Sequence, residues 1–165
     1  MTDERKLQIL HLLHDNSRLS IDTIAKMLGE KIEEVHEAIQ EMEQDNIILR
    51  YSAVVNWDKV ATARRVTAVI DVKVAPQREV GFDSIAERIY RFPEVKSVML
   101  MSGAYDLQVT IEGPDILKVS RFVSEKLATI ENVNSTTTHF LLKTYKADGV
   151  IFEDYDDERR LVITP

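Results

Sequence analysis

Apolar residues recur at helical spacing in three segments before residue 50. In the first, Leu7, Leu10 and Leu13 form a stripe widened by Ile9 and Leu12; Asp3 is placed to cap it, and Asn16-Ser17 end it. The second is short: Ser20 is an N-cap, Ile24, Ala25 and Leu28 form the buried face, and Gly29 falls where a sharp turn is needed. The third carries Ile32, Val35, Ile39 and Met42 and stops at Asn46, before Ile47-Ile48. A short helix, a turn at glycine and a longer helix form a helix-turn-helix layout.

From Tyr51 the period drops to two: Tyr51, Ala53 and Val55 alternate with Ser52, Val54 and Asn56, which predicts an extended linker strand closed by Trp57-Asp58. Val66, Ala68, Ile70, Val72 and Val74 then alternate through a long strand ended by Pro76. Ile85, Ile89 and Phe92 mark a helix stopped at Pro93. Val95–Ser102 and Tyr105–Glu112 form a hairpin joined tightly at Gly103-Ala104, with Leu107, Val109 and Ile111 as its apolar face. Gly113-Pro114-Asp115 starts a helix striped by Ile116, Val119, Val123, Leu127 and Ile130, and a last long strand runs from Val133 to Lys146.

The class is α+β: a winged-helix-like helix-turn-helix of three helices (1–50), a strand linker (51–65), a βαββαβ ferredoxin-like domain (66–148) and an extension (149–165). In that extension Val150-Ile151-Phe152 and Leu161-Val162-Ile163 flank the charged run 153–160, compatible with a terminal hairpin, a strand lent to a neighbour or a frayed tail. On the last strand Thr136, Thr138, Phe140 and Leu142 share one side while Ser135, Thr137, His139, Leu141 and Tyr145 share the other. Neither side is fully polar, so the face of the sheet away from the helices is expected to pack against a second copy.

Composition narrows the chemistry. The absence of cysteine removes disulfides, thiolate nucleophiles and Cys-ligated zinc. Met1-Thr2-Asp3-Glu4 does not open a basic-then-apolar leader, and no apolar run is long enough to span a bilayer, so a soluble cytoplasmic protein without membrane contact is expected. A formal net charge of -7 opposes simple attraction to phosphates, so any nucleic-acid contact must rely on local geometry.

Arg18-Leu19-Ser20, Ile24-Ala25-Lys26-Met27-Leu28-Gly29, the Ile47-Ile48 exit into Tyr51-Ser52-Ala53, and Gly103-Ala104-Tyr105-Asp106-Leu107 with its Gly-x-x-Asp pattern occur in this order. Together they resemble the Lrp/AsnC family, the leucine- and asparagine-responsive (feast/famine) transcription regulators, over nearly the whole chain to about Asp148. The resemblance implies homodimers formed through the C-terminal sheets, further assembly up to octamers, and amino-acid effectors bound between dimers near the Gly-x-x-Asp hairpin; no phosphate-cradling glycine loop or nucleophile elbow stands in the residues, so neither catalysis nor a cofactor is expected. The chain departs from the family in its third helix, where a Ser-Pro start and several arginines are usual. Here Glu30-Lys31-Ile32 begins a stretch in which seven acidic side chains up to Asp45 face one lysine.

Two readings of this helix follow. Glu can accept a hydrogen bond from cytosine N4 and Gln40 can pair with adenine, with His36 either a further base contact or an ordinary surface residue, while Arg18, Ser20, Lys26, Lys31 and Arg50, with Arg64-Arg65, position the phosphates of double-stranded DNA. Alternatively the helix is a solvated acidic face, and the chain is a small-molecule-sensing oligomer whose helix-turn-helix no longer binds DNA. For an amino-acid effector the candidates are Ser102, Gly103 and Asp106, at a turn whose main-chain groups can meet an ammonium and a carboxylate, and the hydroxyls of Thr136 and Thr138. A glycine in a tight hairpin is also what the turn alone requires.

Other constellations carry less. His11 and His14 stand three apart, suitable for sharing a metal, but no third ligand is near in sequence. His139 lacks a recognisable nucleophile or orienting carboxylate, which favours a sheet-interface role. Sirohaem decarboxylases share the fold, yet no clustered His and Arg suit a polycarboxylate tetrapyrrole.

Overall fold

Thr2, rather than Asp3, starts the first helix in the computed structural model, which describes residues 1–60, 62, 65–75 and 81–152. Its Oγ1 accepts from the Arg5 N–H at 3.4 Å, and Asp3 lies inside the first turn, where its charge suits the helix N-terminus. This helix, α1 (Asp3–Asp15), buries Ile9 and Leu13, with Leu10 and Leu12 at the margin; the expected Leu7 is 53% exposed. Only one narrow side of α1 meets the other two helices, so an apolar stripe wider than that contact leaves residues in solvent.

Helix α2 (Ile21–Leu28) begins at Ser20, whose Oγ accepts from the Thr23 N–H at 3.1 Å. It ends at Gly29, held at φ 68° with its N–H bonded to the Ala25 carbonyl. Helix α3 (Ile32–Gln44) buries Val35, Ala38, Ile39 and Met42, while Ile32, expected in the core, is 46% exposed in the first turn. Asn46 at φ 58° reverses the chain, and the N–H groups of Ile47 and Ile48 both bond to the Met42 carbonyl. These helices belong to a compact unit, Met1–Val55; the second unit begins at Asn56.

The alternation from Tyr51 does not make a strand: residues 51–56 join no sheet, and a short 3-10 turn follows at Trp57–Lys59. Period two is necessary for a ladder but not sufficient, since among the described residues no second strand pairs with this segment. Side chains tether the exit instead. Tyr51 Oη donates to Glu43 at 2.8 Å, and Ser17 Oγ donates to the Ser52 carbonyl at 3.3 Å.

In the second unit β1 (Val66–Val74), α4 (Asp83–Tyr90), β2 (Val95–Leu100), β3 (Leu107–Gly113), α5 (Ile116–Phe122) and β4 (Val133–Phe140) follow in βαββαβ order. The sheet order is β2-β3-β1-β4, with every pairing antiparallel. Ala68, Ile70, Val72 and Val74 of β1 and Leu107, Val109 and Ile111 of β3 make the covered face, packed by Ile85 and Ile89 of α4 and by Val119 and Phe122 of α5. Phe92 meets Phe122 edge-on, ring centroids 5.4 Å apart.

Three expectations in this unit are corrected. The β2–β3 connection is not a two-residue turn: pairing stops at Leu100 and resumes at Leu107, and the Met101 N–H to Asp106 carbonyl bond closes the loop. Helix α5 runs into one π turn, Val123–Leu127, so Phe122 and Leu127 both face inward while Val123 is partly buried and Ile116 is 58% exposed. The extra residue in that turn rephases a stripe drawn at 3.6. Strand β4 ends at Phe140, not Lys146. Beyond it β5 (Lys146–Ala147) pairs with β6 (Val150–Ile151) across Asp148 and Gly149, both at positive φ as a type I′ turn requires. Expectations for Pro76, Arg64 and 153–165 lie outside the described residues.

Gly29 has nothing within 4 Å of where a Cβ would stand, so only its left-handed φ resists substitution. Gly29→Ala is therefore expected to destabilise the helix-turn-helix unit by about 1–2 kcal/mol, whereas Ile32→Ala should cost under about 0.5 kcal/mol. Chemical denaturation followed by circular dichroism checks both.

Candidate DNA interface and ligand site

The unit Met1–Val55 holds six Arg and Lys against eleven Asp and Glu, a formal balance of −5. Four of its cations are already engaged: Arg5 with Glu30 at 3.0 Å, Lys6 with Glu41 at 2.7 Å, Lys26 with Asp22 at 2.6 Å and Lys31 with Glu34 at 3.6 Å. Among the described residues, Arg18 and Arg50 have no carboxylate partner. The Ser17–Ser52 bond draws the loop bearing Arg18 toward the segment just after Arg50, so the two free guanidinium groups sit on neighbouring stretches of chain.

Internal pairing also sets the electrostatics behind α3. The hydrogen bond from Lys6, helped by its charge, holds the Glu41 carboxyl below the usual carboxylate range and raises the Lys6 ammonium in turn. Partial burial first, then the bond to Glu43, pushes the Tyr51 hydroxyl up to about 12.

The named DNA-contact residues thus differ in availability. His36 and Gln40 lie on the exposed side of α3, opposite Val35 and Ile39, with no partner among the described residues. Lys31, at the start of α3, is exposed and only loosely paired, and Lys26 is tied to Asp22. Ser20 is committed to its helix: its hydroxyl accepts from Thr23 N and shares a 2.8 Å bond with Thr23 Oγ1. Arg65, in the second unit, lies over the Trp57 ring at 5.9 Å and bonds to Glu112.

The ligand candidates cluster only in part. Asp106 is anchored three ways: its N–H bonds to the Val72 carbonyl at 3.0 Å, its carbonyl accepts from Met101, and Oδ2 accepts from the Val74 N–H at 2.9 Å. Lys73 Nζ donates to the Ala104 carbonyl at 3.1 Å, and Gln108 Nε2 to Tyr105 Oη at 2.9 Å. These bonds hold the 101–106 loop against the end of β1, leaving Ser102 and Gly103 exposed and one Asp106 oxygen for other work. Thr136 pairs with Val72, which pairs with Leu107 on its other side, so Thr136 stands at the same end of the sheet, about 10 Å across β1. Thr138, opposite Ile70, is two residues farther away. Lys73 and Tyr105 were not singled out in sequence. Their partners are backbone or neighbouring polar groups placed by the fold, and the one sequence signal was a lysine on the outward side of β1.

The face of the sheet away from the helices presents Ser97, Met99, Gln108, Thr110, Val69, Asp71, Thr137 and His139 by register. His139 has the orienting carboxylate the sequence did not reveal: Asp71 Oδ2 lies 3.0 Å from Nε2, across 68 residues of chain.

Two family models match the chain, one described as winged helix-turn-helix DNA-binding over residues 2–48 and one as Lrp/AsnC ligand binding domain over residues 67–151. The uncharacterized HTH-type transcriptional regulator YugG of Bacillus subtilis is 54% identical over 162 residues, covering 98% of each chain. Among solved structures, an AsnC family transcriptional regulator from Agrobacterium tumefaciens is 26% identical with a TM-score of 0.69, covering 96% of this chain and 99% of that one. A Neisseria meningitidis transcriptional regulator solved as an L-Met complex shares the fold at 22% identity and a TM-score of 0.70, over 89% of this chain and 94% of its own. Among the described residues no helix is long and apolar enough to cross a membrane.

Two outcomes follow from the anchoring bonds. Asp106→Ala strands the Val74 N–H and is expected to cost about 1–3 kcal/mol in urea unfolding, while Asp106→Asn, which keeps an acceptor, should cost clearly less. Because the Glu41 carboxyl is lowered, the stability it contributes is fully present above its ordinary value of 4.5 and is lost as pH falls through the lowered one. Glu41→Gln should therefore flatten the acid limb of a stability–pH curve.

Proposed function

The chain belongs to the Lrp/AsnC family of HTH-type transcriptional regulators, and from that premise we propose that it reads operator DNA sequence-specifically and responds to an amino acid or related small molecule. The observation that carries the DNA half is the pairing of a capped α2 and a glycine turn with an exposed, unpartnered His36–Gln40 row on α3. Base edges are the task of the second helix of such a motif, and Arg18 and Arg50 are free to hold phosphates. Lys31 adds a third positioning charge; Lys26 contributes after release from Asp22, and Ser20 only through its backbone, since its hydroxyl is committed.

The ligand half rests on the 101–106 loop. Exposed Ser102 and Gly103, the remaining Asp106 oxygen and the Thr136 hydroxyl offer polar groups for an ammonium and a carboxylate, with Thr138 on the margin of that set. The Neisseria neighbour, solved with L-Met, makes an amino acid the first class to test. The open sheet face, with Met99 and Val69 among its polar residues, is the surface through which copies of the chain pair into a homodimer, itself the building block of a larger ring such as an octamer. A ligand acts on transcription here by favouring one assembly over another.

The acidic balance of the first unit, with four cations already paired, favours a second reading in which the motif no longer binds DNA and the chain is a ligand-sensing oligomer. Titration of the full chain against its own promoter at about 50 and about 200 mM salt separates the two. Sequence-specific binding supports regulation; uniform absence of binding at the lower salt supports the second reading. In the first case Lys31→Ala should weaken all sequences alike and reduce the salt slope by about 1, and Gln40→Ala should relax base preference. An amino-acid panel that leaves both Tm and binding unchanged would remove the effector.

A further inference from the structure

Helix α3 carries five glutamates, and the fold disposes of three: Glu34 toward Lys31, Glu41 with Lys6 and Glu43 with the Tyr51 hydroxyl. Glu33 and Glu37 remain, exposed and without a partner among the described residues. They stand four apart, so their like charges face each other on one side of the helix, an arrangement that works against helix stability. The helix N-terminus compensates Glu33 but not Glu37, which lies beyond the first turn. His36 and Gln40 complete the same exposed patch, opposite the buried row Val35, Ala38, Ile39 and Met42.

We infer that Glu33 and Glu37 are specificity-determining residues of this helix, reading cytosine through its N4 amino group. The inference rests on the DNA-reading proposal above and adds what is read. A carboxylate only accepts, so in the major groove it is satisfied by the cytosine N4–H donor and opposed by thymine O4 or by guanine O6 and N7. Adenine offers N6–H, but its N7 lies beside it and repels the second carboxylate oxygen. Four residues of helix advance about 6 Å, comparable with two base steps of about 3.4 Å, so the two glutamates address different base pairs. The same charges push the helix away from duplex lacking those donors, which makes the acidic face a device for rejecting generic DNA. Arg18 and Arg50, off this helix, hold the backbone.

The test is selection of bound sites from a randomised duplex pool by the full-length protein and by Glu33→Gln and Glu37→Gln, followed by binding to the wild-type consensus with each cytosine changed to thymine. The wild type should enrich cytosine at two or more positions and lose about tenfold in affinity at each replacement. Each variant, whose amide can donate to thymine O4 as well as accept from cytosine N4, should be nearly indifferent at its own position and should bind unselected duplex more tightly than wild type. Selection that both substitutions leave unchanged, or a wild-type consensus without cytosine, overturns the inference and leaves DNA reading intact. A wild-type protein that retains no duplex at about 50 mM salt overturns DNA reading and this inference together.

Discussion

The second unit depends on the alternation of β1. One side of this strand gives Ala68, Ile70, Val72 and Val74 to the core, and its two edges bond to β3 and β4, so it ties both neighbours to the helices and joins the edge strand β4 to the rest of the sheet. Burying Ile70, Val72 and Val74 contributes about 1.5–3 kcal/mol each, more than an exposed ion pair contributes. A slip of one residue would exchange these side chains for Thr67, Val69, Asp71 and Lys73, which is why the register tolerates no alternative.

The candidate ligand loop inherits its position from that strand. Val72 offers its carbonyl to the Asp106 N–H, Val74 its N–H to the Asp106 carboxylate, and Lys73 its ammonium to the loop backbone. Asp106 is therefore structural before it is anything else, and any ligand chemistry at this corner uses what those bonds leave over. The opposite face of the same strand holds Asp71 beside His139, so one strand orders both the loop and the centre of the open face.

The first unit solves a different problem. Its core of Ile9, Ile24, Val35 and Met42 is small, and the geometry between α2 and α3 is imposed by one residue at positive φ. Around that frame, charge is sorted: most cations are matched inside the unit, two arginines are left at its loops, and two glutamates are left on the helix that faces outward. With this charge distribution, any DNA reading by the unit gains little from general attraction to phosphate, because its overall sign is that of the nucleic acid.

Element order, the glycine turn and the buried faces of β1 and β3 were legible in the residues, because period and capping chemistry act over a few positions and leave a local trace. The same local view placed Leu7, Ile32 and Ile116 in cores they do not enter, drew strands through 51–56 and past Phe140, and tightened the β2–β3 loop. Each of these depended on what lies opposite in space: a helix wide enough to cover a stripe, a second strand to pair with, or a π turn that rephases one. Likewise the residue types of the site were visible, but their availability was not. The capping role of Ser20 was legible locally, whereas that Asp106 is bonded to Val74, and that Glu33 and Glu37 alone among the α3 glutamates have no partner among the described residues, are facts of tertiary placement. They join groups up to 35 residues apart, a distance over which sequence pattern carries no information about which atom meets which.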